Sequence, residues 1–179
     1  ELNHRIRSLL DRKRMEREAA RPRKLILVVD DHALFRRGIC RLLTLEDYDV
    51  IEAENGKQSL ELARERQPDL VLLDVNLPEM TGIEVCRRLR ADQETSTIAI
   101  LIFSGYITER EVQEFYQAGA DDYINKNSSE DILLLHIQIA TAIGEMRKSQ
   151  RGDVSLRPRP DLPRSLLAAD AVDDVPSPH

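Results

Sequence analysis

Short apolar runs alternate along the chain with longer stretches in which apolar residues recur every three or four positions. The runs predict strands near 25–29, 49–53, 70–74, 98–103 and 122–124, and the longer stretches predict helices near 33–44, 57–66, 82–91, 108–118 and 129–147. Leu25-Ile-Leu-Val-Val29, Leu70-Val-Leu-Leu73 and Ile98-Ala-Ile-Leu-Ile-Phe103 are continuous rather than alternating, as expected of strands buried on both faces. Pro68 stops the second helix and Gly119 the fourth, while Ser128 or Ser129 is placed to cap the fifth, ahead of Glu130 and Asp131. Five strand-helix units in succession imply an α/β domain with helices on both faces of a parallel sheet.

Acidic residues stand at two of the predicted strand ends. Asp30 and Asp31 follow the first run and Asp74 follows the third. Parallel strands open on one rim, so the three carboxylates converge there. Their repulsion is relieved either by raised pKa values or by a hard cation that takes oxygen ligands. Ser104 closes the fourth run and Lys126 follows the fifth, bringing a hydroxyl and an ammonium to the same rim. A carboxylate nucleophile, a divalent cation, a hydroxyl and an ammonium are the parts that phosphoryl transfer to a carboxylate needs.

The motifs Val29-Asp30-Asp31-His32, Asp74-Val-Asn76-Leu-Pro78-Glu-Met80-Thr-Gly82, Phe103-Ser104-Gly105 and Gly119-Ala-Asp-Asp-Tyr123-Ile-Asn-Lys126 occur in this order. At these spacings the stretch from about 24 to 148 resembles the receiver domains of bacterial two-component response regulators. The resemblance implies a flavodoxin-like, doubly wound sheet of order 2-1-3-4-5 with its crevice between strands 1 and 3. It implies Asp74 as phosphoacceptor, and Mg²⁺ held by Asp31 and Asp74 directly, by Asp30 through water and by the Asn76 backbone carbonyl. It further implies that Ser104 and Lys126 hold the phosphoryl oxygens and that Tyr123 is an aromatic switch. The expected function is a phosphorylation switch, not an enzyme beyond slow autodephosphorylation, charged by a histidine kinase or histidine phosphotransfer protein. A phosphorelay intermediate, a phosphate sink, or a receiver cut from a larger hybrid kinase or regulator is the alternative.

Two positions depart from the family pattern. Asn127 stands where Pro usually follows the lysine, and a cis bond without Pro costs about 3 kcal/mol, so the loop is expected to be reshaped or strained. Tyr106 occupies a position usually small or acidic and is expected at the mouth of the site, slowing attack by water. Other phosphate chemistries fit less well. A flavin site wants a Ser/Thr/Gly-rich loop after the first strand, where this chain has Asp30-Asp31-His32, and a haloacid-dehalogenase phosphatase wants Asp-x-Asp there.

Composition sets the surroundings. Apolar residues make up 41% of the 179 and aromatic residues 4%, enough for one aliphatic core with appendages. No stretch has the length of a membrane span and no signal peptide opens the chain, so a cytoplasmic protein is expected. Cys40 and Cys86 lie in predicted helices without partner spacing and are read as reduced, buried thiols. Residues 1–24 carry a net charge of +5, residues 25–149 carry −10, and residues 150–179 carry −1. The central domain is too acidic for nucleic acid, and the basic segment is read as a solvated face or as docking on the acidic domain.

Residues 1–23 predict a helical extension or linker, with Leu2, Ile6, Leu9 and Leu10 on one side. Its opening, Glu1-Leu-Asn-His4-Arg-Ile-Arg7, resembles the phosphoacceptor box of a histidine-kinase subfamily. Ser8 replaces the usual Asn and the second bundle helix is missing, so His4 is read as part of an upstream signalling helix. The start at Glu rather than Met is expected of a fragment. The fifth helix carries apolar residues over roughly 220° of its circumference, against the 100° or somewhat more that sheet packing uses. A second copy paired through helices 4 and 5, the N-terminal helix or a partner is expected to cover the surplus. His136 falls in that arc and is read as a hydrogen-bonded histidine. Residues 149–179 hold five of the eight prolines and predict a disordered tail.

Overall fold

The computed structural model describes residues 22–152. The expectations for the N-terminal helix, His4 and most of the Pro-rich tail lie outside the described residues. Five strands, β1 (Leu25–Val29), β2 (Asp49–Ala53), β3 (Leu70–Leu73), β4 (Ala99–Ser104) and β5 (Asp122–Asn125), form one parallel sheet of order β2-β1-β3-β4-β5. Five helices alternate with them: α1 (Ala33–Leu45), α2 (Gly56–Arg66), α3 (Gly82–Ala91), α4 (Glu109–Gln117) and α5 (Glu130–Gln150).

Every residue of β1, β3 and β4 is buried, which is why those sequences are unbroken apolar runs. The two edge strands read differently: β2 buries only Val50 and Ala53, and β5 buries only Ile124. Successive strand residues face opposite layers. Leu27, Val29, Val71, Leu73, Ile100 and Ile102 meet Ala63 of α2, Val85, Cys86 and Leu89 of α3 and Phe115 of α4. Ile26, Val28, Leu70, Leu72, Leu101 and Phe103 meet Leu43 of α1 and Leu133, Ile137 and Ala140 of α5.

Helix ends follow local chemistry. Asn55, Thr81 and Thr108 accept bonds from the first turns of α2, α3 and α4, and Thr108 with Glu111 completes a capping box. His32 caps α1, its Nδ1 accepting the Phe35 N–H at 3.2 Å. Ser129 occupies the cap position of α5 but makes no side-chain bond there, and α5 runs to Gln150, three residues past the predicted end. Gly119, with φ of +98°, turns the chain after α4, where a Cβ would lie 2.6 Å from the Arg90 side chain. Cys86 is buried and Cys40 half-buried, neither in a disulfide. Among the described residues, no helix is long and apolar enough to cross a membrane.

Candidate functional site

The ladder between β1 and β3 pairs Val29 with Leu73, so Asp30 and Asp74, one residue further on each strand, leave the sheet side by side. Both stay anchored to it. The Asp30 N–H donates to the Ala53 carbonyl at 3.1 Å and the Asp74 N–H to the Val29 carbonyl at 2.9 Å. Asp30 is 2% exposed and Asp74 7%, whereas Asp31 is exposed. Carboxylate oxygens of the three lie within 4.8 Å of one another, the convergence expected from the strand ends.

Lys126 arrives from the far edge of the sheet. Its N–H donates to the Ser104 carbonyl at 2.9 Å, extending the β4-β5 ladder. Its Nζ then reaches inward across β4, lying 2.5 Å from Asp30 Oδ2 and 2.9 Å from Asp74 Oδ2. The other oxygens of the two carboxylates accept backbone amides, His32 N–H at 2.8 Å and Val75 N–H at 2.7 Å. One ammonium thus serves two buried carboxylates with a third at their edge, leaving an excess of negative charge. Burial pushes the Asp74 carboxyl above the usual range, with Asp30 adding to it and Lys126 opposing it. Burial also acts to lower Lys126, but its bonds to Asp30 and Asp74 outweigh that and raise it, so it stays an ammonium.

Two aromatic residues belong to this site that sequence reading did not assign to it. Phe35, on the first turn of α1, places its ring 4.6 Å from the Lys126 Nζ, and Phe103 packs against that ring at 5.5 Å. The cation is held between two carboxylates and a π face, which restricts where it can move. An aromatic residue one turn into the helix after paired aspartates is a core position by pattern, so no signal in the chain set Phe35 apart.

The loop after Asp74 is shaped by Gly82. Its N–H donates to the Val75 carbonyl at 3.1 Å, and a Cβ at 82 would stand 2.5 Å from the Asp74 carbonyl oxygen. Only glycine lets α3 start so close to the Asp74 backbone. Glu79, with φ of +65°, makes the left-handed turn of that loop, and Asn76 lies exposed two residues beyond Asp74.

Ser104 closes β4 and Tyr123 lies in the neighbouring β5. Ser104 is wholly buried, and its hydroxyl donates to the Tyr106 carbonyl at 3.1 Å. The Tyr106 side chain is 80% exposed. Tyr123, paired in register with Ile102, is half-buried against the core. Its neighbour Asp122 ties three elements together, accepting Tyr116 Oη of α4 at 3.4 Å and lying 2.6 Å from His136 Nδ1 of α5. No described peptide bond is cis, and the Asn127 N–H donates to Asn125 Oδ1 at 2.8 Å, a bond that proline has no hydrogen to make.

Comparison with known proteins agrees with this geometry. The family model for the response regulator receiver domain matches residues 26–138. The nitrate/nitrite response regulator protein NarL of Escherichia coli K12 is 39% identical over 127 residues, covering 70% of this chain and 57% of NarL. Histidine kinase P4 of Formosa agariphila is 41% identical over 101 residues, covering 56% of this chain and 7% of that protein. The chain therefore spans little more than half of one of these curated relatives and a small part of the other. Among solved structures, the chemotaxis protein CheY4 of Vibrio cholerae superposes with a TM-score of 0.64 at 27% identity, covering 66% of this chain and 99% of that one.

Proposed function

Because the chain belongs to the response regulator receiver domains, we propose that it is a phosphorylation switch in which Asp74 accepts a phosphoryl group from a phosphohistidine. The donor is a histidine kinase or a histidine phosphotransfer protein. The observation that carries this reading is the excess of buried carboxylate around a single lysine at the end of β1 and β3.

An Asp74 oxygen attacks phosphorus as the P–N bond breaks, and the electron pair leaves with the imidazole nitrogen of the donor. Lys126, already 2.9 Å from Asp74, follows the charge onto the phosphoryl oxygens. The Ser104 hydroxyl exchanges the Tyr106 carbonyl for a phosphoryl oxygen. The all-oxygen donor set fits a hard cation, so Asp30, Asp31, Asp74 and the Asn76 carbonyl would hold Mg²⁺, which when bound supplies positive charge to the phosphoryl oxygens. Water hydrolyses the aspartyl phosphate slowly, and the domain catalyses no other turnover.

Phosphorylation adds a charge of about −1.5 to −2 at this rim. Drawing Ser104 inward shifts the loop that precedes α4, and Tyr123 reorients beside Asp122, the residue joining α4, β5 and α5. That face is the output surface. A swing from 1:99 to 99:1 in its two arrangements takes about 5.5 kcal/mol of bias. The domain works in the cytoplasm, the compartment in which Cys40 and Cys86 stay reduced.

The test is mass spectrometry after treatment with acetyl phosphate and Mg²⁺. The expected result is a gain of one phosphoryl group that Asp74→Asn abolishes; a gain that survives Asp74→Asn overturns the assignment. The similarity to a stretch of a histidine kinase favours a second reading, a relay intermediate or phosphate sink within a larger hybrid protein. Fast return of the phosphoryl group to a histidine donor would distinguish it.

A further inference from the structure

α5 buries Leu133, Ile137, Ala140, Thr141 and Gly144 against the sheet, yet its outer side is also apolar. Ile132, Leu135, Ile139 and Met146 are 44–61% exposed, and Ala142 is exposed between them. These five positions are spaced three and four apart, the a and d seam of a two-stranded coiled coil. Such a stripe on a preformed helix is a docking surface.

We propose that its occupant is residues 1–20 of the same chain, packed as a helix parallel to α5. Three observations select this segment. First, the described chain begins at the foot of α5, where Lys24 forms an ion pair with Glu145. A helix leading back from there runs in the direction of α5, and 20 residues rise about 30 Å, close to the span of α5 itself.

Second, the apolar part of the segment matches the stripe in step. A constant offset of 126 sets Ile6 on Ile132 and Leu9 on Leu135, and puts Ala20 on Met146, with Lys13 and Glu16 facing Ile139 and Ala142 through their aliphatic stems. Like positions pair in a parallel coiled coil. Third, residues 1–24 carry a net charge of +5 against −10 for residues 25–149. Two apolar turns are too few to hold a free coiled coil, but α5 is already folded on the sheet and only one helix has to form.

The proposal does not depend on the phosphoryl chemistry, and its test is a cross-link in the full chain. Leu9→Cys and Leu135→Cys are combined and mildly oxidised at low protein concentration. Leu135 is exposed, so its replacement removes no core packing; Cys86 is buried, and the half-buried Cys40 is replaced by Ser. The expected result is loss of both new thiols in a chain that remains a monomer. Covalent dimers joined through residue 135 would assign the stripe to a second copy and overturn the proposal. Persistent free thiols would overturn it too, as would equal cross-linking of Leu9→Cys to Glu65→Cys on the opposite face.

Discussion

The sheet carries a buried ionic cluster at each end, and the two are built in opposite ways. At the N-terminal end of β5, Asp121 meets two arginines: Arg90 at 2.9 Å from α3 and Arg147 from α5, while also accepting the Ile100 N–H at 2.8 Å. Arg90 spends its remaining donors on the carbonyls of Gly119, Ile98 and Ser96 at 2.8, 2.6 and 3.1 Å. At the C-terminal end, Asp30, Asp31 and Asp74 share one lysine. The first cluster is saturated by fixed partners and has spare positive charge. The second has spare negative charge and an oxygen donor set open to a further cation. Burial of charge is common to both, so burial does not mark the functional end; the uncompensated sign does.

The largest effect should come from breaking the saturated cluster. Asp121→Ala leaves two arginines facing a buried gap and should cost about 3–5 kcal/mol in denaturant unfolding. Asp74→Asn should change stability far less, because it relieves repulsion at the same time as it removes a bond to Lys126. Equal losses from the two would erase the contrast between the ends.

Lys126→Met removes the ammonium that, among the described residues, alone bonds these carboxylates, and should destabilise by about 2–3 kcal/mol in the absence of divalent cation. Added Mg²⁺ should recover more stability in that variant than in the parent, read as the rise in melting temperature. Gly82→Ala drives a Cβ toward the Asp74 carbonyl and should cost about 1–3 kcal/mol while slowing phosphorylation by acetyl phosphate.

A pH series probes the two thiols, of which Cys86 lies beside the saturated cluster. Burial pushes the Cys40 thiol to about 12 and the Cys86 thiol to about 11, from an ordinary value of 9.0. The raised folded values favour the neutral thiols, so their contribution is complete below pH 9 and is lost as pH rises from 9 toward 11 and 12. Denaturant midpoints should therefore fall across that window, and Cys86→Ala should flatten the fall. The smallest effect is expected at Tyr106. Tyr106→Ala should raise the rate of dephosphorylation several-fold with stability unchanged, since the side chain is 80% exposed.

Much of the fold was legible because β1, β3 and β4 are covered on both faces and so carry unbroken apolar runs that no surface element shows. The edges of α5 were less so, because Ser129 makes no side-chain bond and the helix ends past its apolar stretch. At the site, Asp30, Asp31, Asp74, Ser104 and Lys126 announced themselves by lying just beyond apolar runs. Phe35 did not, because a core aromatic residue and one that faces a lysine have the same pattern.

The order of residues along the chain determined which carboxylates, hydroxyl and ammonium reach one rim, since parallel strands end on the same side and each delivers the residue that follows it. Tertiary structure alone decided their states: that Lys126 lies between Asp30 and Asp74, that Ser104 is turned to the Tyr106 carbonyl, and that Asp121 is saturated while Asp74 is not. Those are distances between side chains carried by different strands and helices, and electrostatic energy depends on such distances and on burial, neither of which is written in a local pattern.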